Sequence, residues 1–249
     1  VAAVRHALTT VVDFWSVGTR VGLPWIVALS VADGLAYYAS GTPAAEQTLD
    51  DPLSTLTPFD AVLSLIGMLA MCSIAVGWHR FILRDEMPAP GQMFRLDRLV
   101  WSYFGRTLFI ALVVLVPLAI AMLAIFSLAP ALLAVALVPA LASAVLMLRL
   151  SVSLPGIALG EPPMSLTRTL DLTRGTNTGF LAIFLLVLSI LIAGMIIITI
   201  ILSLFQNLLP GMLMPMAIVL SVPFNLFYTL FSISLLTSLY GHFIEGRQF

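Results

Sequence analysis

Residues 149–179 read RLSVSLPGIALGEPPMSLTRTLDLTRGTNTG, and they separate two long stretches without an ionisable side chain. Thr107 to Leu148 contains no Asp, Glu, Lys, Arg or His, and neither does Phe180 to Gly241. The first of these runs is 42 residues long. As a helix it reaches about 63 Å at ~1.5 Å per residue, roughly twice the ~30 Å of a bilayer core. Each run therefore reads as a helical hairpin that crosses a membrane and returns. The 149–179 segment, with Arg149, Glu161, Arg168, Asp171 and Arg174, is the wet piece between them.

The whole chain supports that reading. It has 249 residues, of which 61% are hydrophobic and 9% charged. A soluble domain carries about 25% charged residues, so this one lacks a polar coat. Its mean hydropathy is +1.11. Transmembrane β-barrels alternate over ~10-residue segments, which these unbroken apolar runs do not do. All eleven basic residues are arginine, a pattern that mutational bias toward GC-rich codons explains. The single cysteine, Cys72, has no partner for a disulfide and sits in an apolar run, as a packing residue does. The opening VAAVRHALTT lacks the pattern of a cleaved signal peptide.

Outward from the central segment, the fold class is an all-α polytopic membrane protein. Six transmembrane helices are arranged as three hairpins, about 20–82, 106–150 and 178–242, in one integral membrane domain over 1–249. Short interfacial amphipathic helices are expected at about 1–17, 92–104 and 165–174. In the first, Val4, Leu8, Val11 and Trp15 form an apolar stripe beside a polar one of Arg5, Thr9, Asp13, Ser16 and Arg20. In the second, Met93, Leu96, Val100, Tyr103 and Phe104 oppose Arg95, Arg98, Ser102 and Arg106. In the third, Ser165 is the N-cap, Arg168, Asp171 and Arg174 are spaced to pair along one face, and Gly175 ends the helix. Reversals fall at Ala129–Pro130 and at 206–211. Pro117 and Pro139 sit inside crossings, and Pro215 and Pro223 are expected to break the sixth.

Charge sets the topology. Alternating the loops puts every arginine at one set of helix ends, while the opposite side carries Glu46, Asp50, Asp51 and Asp60 and no base. The positive-inside rule then places both termini in the cytoplasm. An odd number of crossings would scatter the arginines, and one centred in lipid costs on the order of 3 kcal/mol. Each third of the chain also follows one plan: a short helix, a crossing out and a crossing back. Triplication and the general likeness of hairpins account for this equally well.

Few residues point to chemistry. The arginines of the amphipathic helices, Arg95, Arg98, Arg106, Arg168 and Arg174, form a surface for anionic headgroups or for a partner, each base contributing ~1 kcal/mol near such a membrane. Plain topological anchoring explains the same residues. Asp33 is the one acid well inside a crossing, and Asn225 lies near the middle of another; together they are the candidates for a polar transport site. Asp33 also lies close enough to the outer edge to reach headgroups, and Asn225 can satisfy backbone groups freed by Pro223. Ser232, Ser234, Thr237 and Ser238 suit close helix packing. His79 and His242 stand at helix ends without metal-ligand spacing. There is no H-E-x-x-H, G-x-S-x-G, Walker A or G-x-G-x-x-G signature and no pair of buried carboxylates. No cofactor is expected, and nucleic acid is not an expected partner.

Within 149–179, Leu154-Pro155, Gly160-Glu161, Ser165-Leu166 and Leu172-Thr173-Arg174-Gly175 resemble a diffuse group of poorly characterised bacterial six-helix inner-membrane proteins. These are similar to the membrane domain fused to some glycerophosphodiester phosphodiesterases. The asparagine usual after the glycine is displaced here, with Thr176 preceding Asn177. The resemblance covers about thirty residues. It implies a multi-pass helical fold in the bacterial cytoplasmic membrane, and no catalysis, since the catalytic domain has no counterpart here. The expected function is a non-enzymatic accessory, assembly or scaffold subunit bound to a membrane-protein partner or larger complex. The alternative is a transporter or lipid-handling protein that uses proline-broken helices.

Overall fold

The computed structural model describes residues 2–40, 58–87, 94–128, 133–205 and 212–247. The described residues form α1 (Ala2–Asp13), α2 (Trp15–Ser40), α3 (Pro58–Arg84), α4 (Arg98–Leu128), α5 (Leu133–Ser151), α6 (Leu154–Ala158), α7 (Leu166–Leu172), α8 (Asn177–Phe205) and α9 (Leu213–Phe243). Five stretches are long and apolar enough to cross a membrane: Ala61–Arg84, Arg98–Leu123, Val135–Ala158, Asn177–Phe205 and Pro215–Phe243. A sixth is counted if α1 and α2 are taken together, although they meet at 83°. The chain is thus a multi-pass helical membrane protein by length and composition. The acidic loop with Glu46, Asp50 and Asp51, the Asp60 side chain and both expected reversals lie outside the described residues.

α9 is the central helix. It packs against α1, α2, α3, α6 and α8, while α4 and α5 pair beside it. The α2–α9 contact depends on glycine. A Cβ at Gly18 would stand 2.4 Å from the Leu230 side chain, and one at Gly22 would stand 2.6 Å from Leu226. This G-x-x-x-G spacing lets two helix backbones approach where apolarity alone gives no drive to associate. On the other side of α9, Phe224 lies over Gly194 of α8, where a Cβ would come within 2.1 Å of the ring.

Three expectations are corrected. The apolar stripe of α1 is rotated. Ala7, Thr10 and Val11 are the buried residues, turned against α9, whereas Leu8 and Trp15 are exposed. Small side chains win that contact because they allow close approach, and the larger ones are left for the surroundings. The expected helix over 92–104 is not separate: from Arg98 onward it is the first turns of α4, which runs unbroken through Arg106 and Pro117. Asp97 caps it by accepting the Leu99 and Val100 amides at 3.1 and 3.2 Å, and nothing between Arg98 and Arg106 obliges the helix to stop. Finally, α9 is not broken at Pro223. Pro215 falls in its first turn, where an amide has no intrahelical acceptor to lose. The third short helix does form, with Ser165 Oγ accepting the Arg168 amide at 3.3 Å and Gly175 in the left-handed region at φ +78°.

Candidate functional site

The 152–177 segment is fastened to the bundle by one side chain from each of four helices. Arg80 of α3 donates from Nη1 to the Ala158 carbonyl at 3.2 Å. Arg106 of α4 donates from Nη2 to the Met164 carbonyl. Arg149 at the end of α5 donates from Nη2 to the Leu170 carbonyl at 2.7 Å, from Nε to Thr173 Oγ1 at 3.0 Å and from Nη1 to Asn177 Oδ1 at 2.9 Å. Tyr240 of α9 donates to Glu161 Oε2 at 2.9 Å. Ala158 and Leu170 lie in the last turns of α6 and α7, whose carbonyls lack intrahelical amides. Guanidinium supplies five donors in a fixed plane, so one arginine can close several such groups at once.

Local turns deliver these donors. Past α3, Asp85 adopts φ 56° and the Glu86 amide returns to the Arg80 carbonyl at 3.4 Å. That places the Glu86 carboxylate on Arg80 Nε and Nη2, both at 2.7 Å. A Cβ at Gly156 would stand 2.9 Å from Glu161 Oε2 and displace that carboxylate, so glycine leaves room for the Tyr240 contact. Before α4, Arg95 Nε lies 2.6 Å from Asp97 Oδ2. Burial alone would raise the Asp97 carboxyl; the Arg95 guanidinium and the amides of Val100 and Leu99 outweigh it and hold the group below the usual carboxylate range.

Above α9 runs a buried polar seam. Trp78 Nε1 donates to Ser234 Oγ at 2.7 Å, and His6 Nδ1 lies 3.0 Å from Ser238 Oγ. The His79 ring, fully buried, lies between Thr237 Oγ1 at 2.8 Å and the Tyr103 hydroxyl at 3.3 Å. Thr237 gives its one proton to the Ile233 carbonyl, so it accepts from His79 Nδ1, and Nε2 accepts from Tyr103. Both ring nitrogens are thereby used in packing. Among the described residues, no three His, Cys, Asp or Glu side chains gather as a metal site.

A half-open cleft of about 670 Å³ lies between α4 and the fastened segment, lined by Arg98, Ser102, Gly105, Arg106, Phe109 and Glu161 among others. Apart from Leu99, the α4 members recur at i, i+4, i+7, i+8 and i+11, which is one helix face. Among the described residues Arg106 Nε is buried without a hydrogen-bond partner, and its guanidinium carbon stands 5.7 Å from the centre of the Phe109 ring. A second cleft of about 280 Å³ between α5 and α8 has Arg149 and Asn177 at one end.

The expected site residues separate in the structure. Arg98 and Arg106 share the larger cleft, and Arg95 is engaged with Asp97. Arg168 and Arg174 are exposed, and among the described residues neither joins Asp171 in an ion pair. On so short a helix, holding long side chains together costs more entropy than an exposed pair returns. Asp33 and Asn225 are both exposed, and neither lines either cleft. Sequence reasoning missed the fastening roles of Arg80, Arg149, Tyr240 and Glu161, and the buried His79. An arginine at a helix end followed by a hydroxyl-rich turn was the available signal for Arg149; for Tyr240 there was none. No family model, no curated protein and no solved structure matches this chain.

Proposed function

We propose that the chain is a non-enzymatic accessory, assembly or scaffold subunit of a membrane-protein complex, in the cytoplasmic membrane of a bacterium, with both termini in the cytoplasm. The observation that carries this reading is the division of labour among the arginines. Arg80, Arg106 and Arg149 turn inward and fasten one segment to the bundle. Arg168 and Arg174 turn outward from that fastened segment and are exposed. A pre-set cationic surface loses little entropy on docking, which favours an acidic partner surface over a mobile one. The likeness of 149–179 to bacterial six-helix inner-membrane proteins fits the same reading. Extraction from native membranes in mild detergent, followed by mass spectrometry, tests it. A stoichiometric protein partner lost on the Arg168→Glu, Arg174→Glu double substitution is expected; a chain that comes out alone, or that catalyses a reaction or drives solute flux in liposomes, overturns it.

A second reading, lipid handling, is favoured by the cleft on α4, which pairs basic and aromatic side chains. Transport through a discontinuous helix has less support, because the helices with Pro117, Pro139 and Pro223 run through them.

A further inference from the structure

We propose that the cleft between α4 and the 152–177 segment binds one glycerophospholipid. Its phosphodiester lies between Arg98 and Arg106, its headgroup donor reaches Glu161, and its acyl chains follow the outer face of α4. This site goes beyond the accessory role and does not depend on it, since a subunit with or without a protein partner can hold a lipid.

Two independent features of α4 point to that ligand class. The first is polar. Among the described residues, Arg106, which lines the cleft, has its Nε buried and unpartnered, and the cleft's other basic residue, Arg98, is exposed and joins no ion pair. A buried charged donor without an acceptor is costly, and a phosphate oxygen is the acceptor that guanidinium matches best. Ser102 adds a hydroxyl on the same face. Gly105 leaves the floor open: a Cβ there would meet nothing within 4 Å. The second feature is apolar. The same stripe continues along α4 as Phe109, Leu112, Val113, Val116 and Ile120, all exposed. A charged pocket at one end of a membrane-spanning helix, running into an uninterrupted apolar track, has the polarity of an amphiphile rather than of a free anion.

Glu161 makes the site selective. Glu161 lines the cleft, and one of its carboxylate oxygens already accepts from Tyr240. A headgroup with an N–H or O–H can donate to it, as the ammonium of phosphatidylethanolamine and the glycerol of phosphatidylglycerol can. The trimethylammonium of phosphatidylcholine has no such donor. The cleft is therefore a site for donor-bearing headgroups.

The test is native mass spectrometry of the purified chain in nanodiscs of phosphatidylethanolamine, phosphatidylglycerol or phosphatidylcholine, with inorganic phosphate as a fourth probe. One phosphatidylethanolamine or phosphatidylglycerol retained per chain is expected, with phosphatidylcholine lost. Arg98→Gln is expected to weaken retention about fivefold, the effect of one base near a phosphate surface. Gly105→Leu fills the floor while keeping both arginines in the chain, and should abolish retention while thermal unfolding is unchanged or raised. Equal retention of all three lipids overturns the proposal, as does retention indifferent to both substitutions. Phosphate stabilising the chain as well as lipid would assign the cleft to a free anion and also overturn it. A chain that comes out of native membranes without any protein partner but still retains the lipid would instead count against the accessory role alone.

Discussion

α8 and α9 are built from nearly the same material, yet they occupy opposite places in the molecule. They have 29 and 31 residues, and neither contains Asp, Glu, Lys or Arg. α8 is the more apolar of the two, but Phe180 in its first turn is its one buried residue among those described. α9 is buried over most of its second half, from Leu226 to Tyr240. In water the more apolar helix would go inside. In a membrane the lipid is as apolar as a leucine side chain, so hydrophobicity does not sort helices. What sorts them is close fit and polar contact. α9 meets Gly18 and Gly22 of α2 and takes hydrogen bonds from Trp78, His79 and His6. On α8, Ser189, Thr199 and Ser203 each return their hydroxyl to their own backbone at 2.8 Å. Besides the close contact of Gly194 with Phe224, its polar attachment lies at its first turns, where Arg149 holds Asn177 and Phe180 stacks on Phe243 with ring centres 5.6 Å apart.

The largest effect that follows is a contrast between two leucines. Leu230 of α9 is fully buried, while Leu204 of α8 is 67% exposed. Leu230→Ala leaves a cavity among packed side chains and should destabilise the protein by about 2 kcal/mol or more. Leu204→Ala should change stability by no more than ~0.5 kcal/mol. Unfolding in mild detergent reads both, and equal losses would break the comparison. A somewhat smaller effect concerns the end of α8. Arg149→Gln removes charged donors from Leu170, Thr173 and Asn177, for a loss of about 1.5–3 kcal/mol. Arg174→Gln on the exposed surface should stay within ~0.5 kcal/mol. Limited proteolysis between Ser165 and Thr176 should rise for the first variant and not for the second. If both behave alike, α8 is held by its lipid-facing length and the end attachment is incidental.

Much of the architecture was legible because a membrane enforces simple rules. Charge-free runs of the right length become helices, since no backbone amide can stay unpaired in lipid. Ser165 and Gly175 announced the ends of α7 for local reasons, a cap and a left-handed turn. What was not legible is non-local. The positive-inside rule explains all eleven arginines alike, so it could not separate Arg149, which reaches a carbonyl 21 residues away, from Arg174, which is exposed. The same limit hid Arg80, whose acceptor at Ala158 lies 78 positions along the chain. Arg98 and Arg106 were read as one face of a short interfacial helix, and that face survives as the wall of the cleft although the helix is the start of α4. The stripe on α1 was misread because periodicity identifies a face but not whether protein or lipid will cover it. The G-x-x-x-G of Gly18 and Gly22 was there to be read as a packing face. Asp33 and Asn225 stood out because polar residues in lipid demand a reason, but both lie on the outside, away from the described clefts.

The finest test isolates one hydrogen bond on each helix. Ser234→Ala deprives Trp78 Nε1 of its acceptor in a fully buried position. Helix-to-helix hydrogen bonds in membranes contribute ~0.6 kcal/mol on average, because an unfolded chain in lipid also finds partners. A loss of about that size is expected, and a double-mutant cycle with Trp78→Phe should return it as coupling. Ser189→Ala removes a hydroxyl that only folds back on Leu186, and alanine is the better helix former, so stability should hold or rise by a few tenths of a kcal/mol. The two substitutions remove the same atom from helices of similar length. If they cost the same, the hydroxyls of α9 are not what draws it inward, and the sorting would have to rest on the glycine contacts with α2 alone.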